Sequence, residues 1–139
     1  MQVTVRFLLA CELVSRTAEG KLNLMGEFNR LTNPQLPVVQ PMTYIAARIE
    51  ANVTAGLQHA AQLIVTDEDG DVIWKSPTMP VTFQHPLQRG LPMRADIVLR
   101  IGGMMFPKFG TYSFTLWIDG TARETIAIFV QEPEEQGQR

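Results

Sequence analysis

The sequence predicts an all-β fold: an antiparallel β-sandwich, immunoglobulin-like or jelly-roll-like, with about eight or nine strands. Three observations predict it. Apolar residues recur at every second position, most plainly at Met93, Ala95, Ile97, Leu99 and Ile101, with Arg94, Asp96, Val98 and Arg100 between them. Clusters of glycine, proline and aspartate punctuate these runs at short, regular intervals. The stretch from Phe106 to Gly120 (FPKFGTYSFTLWIDG) reads as a loop, a glycine-assisted turn, a strand and a hairpin turn at Asp119-Gly120. Aspartate followed by glycine tolerates the positive φ angles that a two-residue hairpin requires.

Each element follows from the same reasoning. The first strand covers about Val3 to Cys11, with Val5, Phe7, Leu9 and Cys11 on one face. A polar turn around Thr17 to Gly20 leads into a second strand through Leu22, Leu24, Gly26 and Phe28. Asn33-Pro34 and the prolines at 37 and 41 predict a loop, because proline cannot donate to a central ladder. Ile45, Ala47 and Ile49 face the core from a third strand, with Tyr44, Arg48 and Glu50 opposite. After a break at 52–58 containing Gly56, Ala61, Leu63 and Val65 define a fourth. The acidic stretch Asp67 to Asp71 turns the chain into Val72, Ile73 and Trp74. Val81 and Phe83 follow Pro80 and read as an edge strand, and the segment from His85 to Pro92 as irregular. Beyond the run from Met93, Gly102-Gly103 reads as a strand exit. Tyr112, Phe114, Leu116 and Ile118, then Ile126, Ile128 and Val130, form the closing hairpin. No window carries a helical period; the Ala-rich stretch 51–62 is interrupted by Gly56.

The 139 residues predict one domain over 1–131, followed by a polar, acidic and flexible tail over 132–139. The formal charge of −2 and the mixed Arg94, Asp96 and Arg100 face give no basic footprint, so no nucleic-acid partner is expected. Cys11 is the only cysteine, which excludes an intramolecular disulfide. The N-terminal residues read as strand, not as a basic leader before an apolar run, and nothing approaches transmembrane length. Cytoplasmic residence without membrane contact is the expectation.

Two blocks carry a resemblance. One is Leu8 to Glu12 (LLACE) followed by Gly20 to Phe28 (GKLNLMGEF); the other is Phe106 to Phe114 (FPKFGTYSF) with Asp119-Gly120. Together, in that order and separation, they resemble a family of uncharacterised bacterial proteins, a domain of unknown function of about this length. The resemblance spans nearly the whole chain. It implies a small cytosolic β-sandwich, bacterial or phage-borne, and brings no activity, cofactor or catalytic residue with it.

The chemical motifs all have plainer readings. Asp67, Glu68, Asp69 and Asp71 around Gly70 resemble a calcium loop, but strand follows at once where a calcium loop would supply further oxygen ligands. His59, His85 and Cys11 are too few and too scattered for a zinc site, and Cys11 ends an apolar row. Gly102-Gly103 precedes Met104-Met105-Phe106-Pro107, which cannot begin a phosphate-binding helix. Glu12, Glu27, Glu50 and Asp96 lie on different strands and form no recognisable carboxylate pair. No catalytic, cofactor or metal residue is therefore expected.

Surplus apolar residues are the remaining signal. Leu8, Met25, Ile64, Val98, Trp117 and Phe129 fall on faces opposite the main apolar rows of their strands. Either the chain's own loops cover them or a partner does, most simply another copy of the chain. Leu8, Met25, Val98, Trp117 and Phe129 are accordingly interface candidates, with Met104, Met105 and Phe106 as a second, adaptable contact. The expected function is non-enzymatic: protein–protein contact, as a homo-oligomer or a structural subunit of a larger assembly. The alternative is a module binding a sugar or lipid on a platform of Tyr44, Trp74 and Trp117.

Overall fold

Residues 3–86 and 88–134 are described in this computed structural model. They form ten strands and one short 3-10 turn, Val53–Ala55. The strands are β1 (Val3–Arg16), β2 (Leu22–Glu27), β3 (Arg30–Thr32), β4 (Val38–Ala51), β5 (Gln58–Thr66), β6 (Val72–Lys75), β7 (Met79–Thr82), β8 (Met93–Phe106), β9 (Gly110–Ile118) and β10 (Thr121–Gln131). The first sheet runs β2-β1-β4-β8; the second runs β3-β10-β9-β5-β6, with β7 also paired to β5. Every pairing is antiparallel except β3 with β10. The strand not anticipated is β3, three residues long and too short to show alternation. The C-terminal part of the predicted tail, 135–139, lies outside the described residues.

The core fills the space between the sheets. Ala61, Leu63 and Val65 of β5, Phe114, Leu116 and Ile118 of β9, and Ile128 and Val130 of β10 meet Ile45, Ala47 and Ile49 of β4, all buried. Those rows fall where alternation put them. The closing turn also has the expected geometry, with φ 51° at Asp119 and 78° at Gly120. At the opposite end of β9, Tyr112 donates its hydroxyl to Lys108 O at 2.7 Å and accepts from Lys108 N at 3.2 Å. This ties the incoming loop to the strand, as tyrosine corners do in other sandwiches.

The first sheet departs from simple alternation at three levels. A β-bulge between Val5 and Phe7 shifts the β1–β4 register, so Leu8 and Ala10 turn into the core while Phe7, Leu9 and Cys11 face out. Further along β4 and β8, parity inverts on both strands together. Ile45 and Ile101 point inward on one side of this level, Val38, Met104 and Phe106 on the other. The register stays in step across it, from Met42↔Gly102 to Gln40↔Met104. Gly103, with φ 67°, supplies the left-handed backbone that turns β8 over. The segment 102–106 is therefore strand, not exit loop, and Pro41 lies within β4 beyond the last β1 pair, Cys11↔Tyr44.

The third inversion lies on β1 and β2 at Glu12 and Gly26. Gly26 has φ 64°, and a Cβ there would stand 2.6 Å from Glu12 Oε1. Beyond this point β1 pairs only with β2, through Leu13↔Met25 to Arg16↔Leu22. The two strands form an arm that bends over the outer face of its own sheet. Val14 joins Cys11 and Ala46 in a second buried cluster, and Arg16 Nη2 donates to Asp96 O on β8 at 3.5 Å.

After β2 the chain crosses between sheets. Phe28 N donates to Ala10 O of the first sheet at 2.9 Å, and Phe129 N of the second donates to Asn29 O at 2.8 Å. Among the described residues no helix is long and apolar enough to cross a membrane.

Candidate functional site

The titratable residues lie apart. Cys11 is fully buried on the outer side of the first sheet, beneath the arm; burial, reinforced by the nearby Glu27 carboxylate, pushes its thiol up, away from the reactive thiolate. His59 belongs to the second sheet and meets an acid, the condition a general base would need. Its Nδ1 lies 2.6 Å from Asp119 Oδ2, and its Nε2 lies 3.0 Å from Gly56 O. The hydrogen bond from His59, helped by that from Ala60 N, holds the Asp119 carboxyl below the usual carboxylate range against the opposing effect of burial. With both ring nitrogens engaged, His59 links the 52–58 break to the β9–β10 turn and leaves no free nitrogen for a substrate. His85 lies apart from both, in an open groove with Glu50, Pro92 and Arg94.

The acidic turn is occupied from within. Asp67 Oδ1 accepts from Asp69 N at 2.9 Å and Asp71 N at 3.0 Å. Lys108 Nζ stands 3.2 Å from Asp69 Oδ2 and 3.6 Å from Asp67 Oδ2, and Glu68 Oε1 accepts from Thr111 N at 2.6 Å. Asp67, Asp69 and Asp71 do bring ligand oxygens together. An ammonium group already neutralises two of them, and the hydrogen bonds dock this turn against the start of β9.

The two outer faces of the sandwich differ more than any pair of polar residues. The outer face of the first sheet is charged and self-covered. Arg48 Nε and Nη2 grip Asp96 at 2.8 and 3.1 Å, with the guanidinium 5.3 Å from the Phe7 ring centroid, and Arg6 pairs with Glu50. Beside them Phe7, Leu9, Leu22, Leu24, Tyr44 and Val98 pack on Cys11, Val14 and Ala46.

On the second sheet, cross-strand pairs set the outer face: Gln62↔Trp117, Ile64↔Thr115 and Thr66↔Ser113 from β5 and β9, then Thr125↔Thr115, Ala127↔Ser113 and Phe129↔Thr111 from β10 and β9. Not one of these residues is charged. Charge appears at the margins, at Lys75 opposite Ile64 on β6, at Arg30 beside Phe129 on β3, and at Arg123 and Glu124 in the bulged first part of β10. Two polar contacts are made within this face or to its edge: the Thr115 and Thr125 hydroxyls lie 2.9 Å apart, and Gln62 Nε2 donates to Ser76 O at 2.9 Å. Nothing in the described chain folds over this face as the arm folds over the other.

The interface candidates therefore separate. Leu8, Met104 and Phe106 are corrected to core positions, at 3%, 2% and 1% exposure, because the bulge and the Gly103 inversion reverse their parity. Val98 is on an outer face, but beneath the arm. Met25 and Met105 are exposed, as the cross-strand partners of Leu13 and Val39. Trp117 and Phe129 lie on the charge-free face. The three aromatics of the ligand alternative occupy different surfaces: Tyr44 under the arm, Trp74 against the main core, Trp117 on the outer second sheet. They share no platform. Sequence reasoning missed the charge-free face as a unit, although the run Thr111, Ser113, Thr115, Trp117 signalled it, and it missed the contact between His59 and Asp119.

Fold and surfaces together define a small two-sheet β-sandwich with one outer face closed by its own hairpin and one open. The chain belongs to a family of unknown function, DUF6941, whose profile matches residues 6–131. No curated protein matches it. Among solved structures it is similar to the alkylpurine DNA glycosylase AlkC of Pseudomonas fluorescens, bound to DNA containing an abasic site analog. The identity is 9% and the TM-score 0.43, over 94% of this chain and 30% of that one. The chain thus spans under a third of that protein, and a likeness of this degree bears on neither fold nor function.

Proposed function

We propose that this protein is a non-enzymatic β-sandwich that acts through protein–protein contact, as a homo-oligomer or as a structural subunit of a larger assembly. The observation that carries this reading is the charge-free outer face of the second sheet. Solvated antiparallel sheet faces ordinarily alternate apolar residues inward with polar and charged residues outward. Here β5, β9 and β10 keep the inward half of that rule and set threonine, serine, alanine, isoleucine, tryptophan and phenylalanine outside. Depletion of charge at the centre with charge at the margin is the composition of a protein interface. The ligand alternative draws less support, since its aromatics are dispersed.

Native mass spectrometry of the protein purified under mild conditions from the cells that make it tests the reading. A stoichiometric complex, with itself or another chain, that disappears in Thr115→Lys is the expected result. A chain recovered alone, in wild type and variant alike, contradicts it.

A further inference from the structure

We infer that the occupant of this face is a second copy of the same chain, docked face to face about a two-fold axis with Thr115 and Trp117 near its centre. The inference rests on the contact reading above and names its partner. Charge is the first reason. A surface without either sign offers nothing to an acidic or basic partner, and it repels no copy of itself, which a self-complementary contact requires.

Polarity and relief point the same way. The Thr115–Thr125 hydroxyl pair and the Gln62–Ser76 bond are made within the chain, so these two contacts persist when the face is covered. Ser113 and Ala127 are small, which lets two sheets approach, while Trp117, Ile64 and Phe129 are half-buried and offer their outward edges to the contact.

The size is adequate. β5 and β9 have nine residues each and β10 eleven. At about 3.4 Å per residue and 4.8 Å between strands, the patch with its short flanking strands spans roughly 30 by 20 Å. That is roughly 600 Å² in projection before side-chain relief is added, close to the ~800 Å² per partner of a stable interface. The competing surfaces are smaller or taken. The outer face of the first sheet is held by the arm, and Leu13 with Met25 and Val39 with Met105 are isolated pairs.

Sedimentation equilibrium of the full chain, over a concentration series to high micromolar, is the test. Wild type should sediment at twice the chain mass. Thr115→Lys sets two ammonium groups against each other at the centre and should weaken association by about a hundredfold or more, with an unchanged circular dichroism spectrum; Thr115→Ser should remain dimeric. Ser113→Cys provides a check that does not depend on how the lysine variant folds. Cys11 is fully buried, so mild oxidation of the dimer should give a disulfide between the two introduced thiols. A wild type that stays monomeric throughout overturns the second copy and leaves a different protein as the partner under the contact reading. A dimer that neither responds to Thr115→Lys nor cross-links through Ser113→Cys overturns this face while self-association stands.

Discussion

The two outer faces of this sandwich solve one problem differently. Both sheets carry apolar side chains away from the core they share. On the first sheet the chain covers them itself: β1 and β2 run on past β4, invert at Glu12 and Gly26, and lay Val14, Leu22 and Leu24 over Cys11 and Ala46. On the second sheet the chain removes charge and leaves the face open. Surplus apolar residues on a strand therefore have two meanings, and the presence of an overhanging hairpin distinguishes them. Fully buried residues on an outer face, Cys11 and Ala46, mark internal closure; uncharged residues without such cover are, on the reading proposed above, a surface for a partner.

A matched pair of substitutions tests the contrast at its largest. Ala46→Lys places a charge at a position with 0% exposure between Leu9 and Val98, and should destabilise the fold by about 3 kcal/mol or more in urea unfolding. A comparable loss from Thr115→Lys would erase the difference between the faces.

Detaching the arm has the next largest effect. Gly26→Ala forces a side chain into φ 64° and displaces Glu12, a loss of about 1–2 kcal/mol. Cys11, shielded by the arm, should then react faster with a thiol reagent, by the ratio in which the arm opens. Unchanged thiol reactivity would mean that the arm does not cover this face.

At one end of the second sheet, Asp119→Asn removes the charge that faces His59 and should cost about 1 kcal/mol. Its pH dependence has a definite sign. Asp119 titrates lower in the fold than in the unfolded chain, so its contribution is present above the unfolded carboxylate value and disappears as pH falls through the folded one. The acid limb of wild-type stability should flatten in the variant, and an identical limb would show that the staple is not made. The smallest change is Thr115→Lys in dilute, monomeric protein, within about 0.5 kcal/mol of wild type by the same unfolding measurement. On the open face only association should respond.

How far the sequence could be read follows the same division. In the second sheet alternation is regular, so Leu63, Val65, Phe114, Leu116 and Ile118 could be assigned inward and Ile64, Trp117 and Phe129 outward from period two alone. In the first sheet the bulge after Val5 and the inversions at Gly26 and Gly103 reverse parity inside continuous strands. Leu8, Met104 and Phe106 changed sides for that reason. The close approach at Gly26 could be read only once Glu12 was brought opposite it. The charge-free face could not be seen strand by strand, because it exists only once β5, β9 and β10 are paired. The His59 clasp likewise joins residues far apart in the chain.

Hydroxyl-radical footprinting of the wild-type protein, from dilute to concentrated solution, addresses both faces in one measurement. Trp117 and Phe129 should be oxidised when dilute and become protected as concentration rises, while Cys11, fully buried beneath the arm, stays protected at every concentration. Constant reactivity at Trp117 and Phe129 across the series, or oxidation of Cys11 in the dilute protein, would contradict the assignment of one closed face and one docking face.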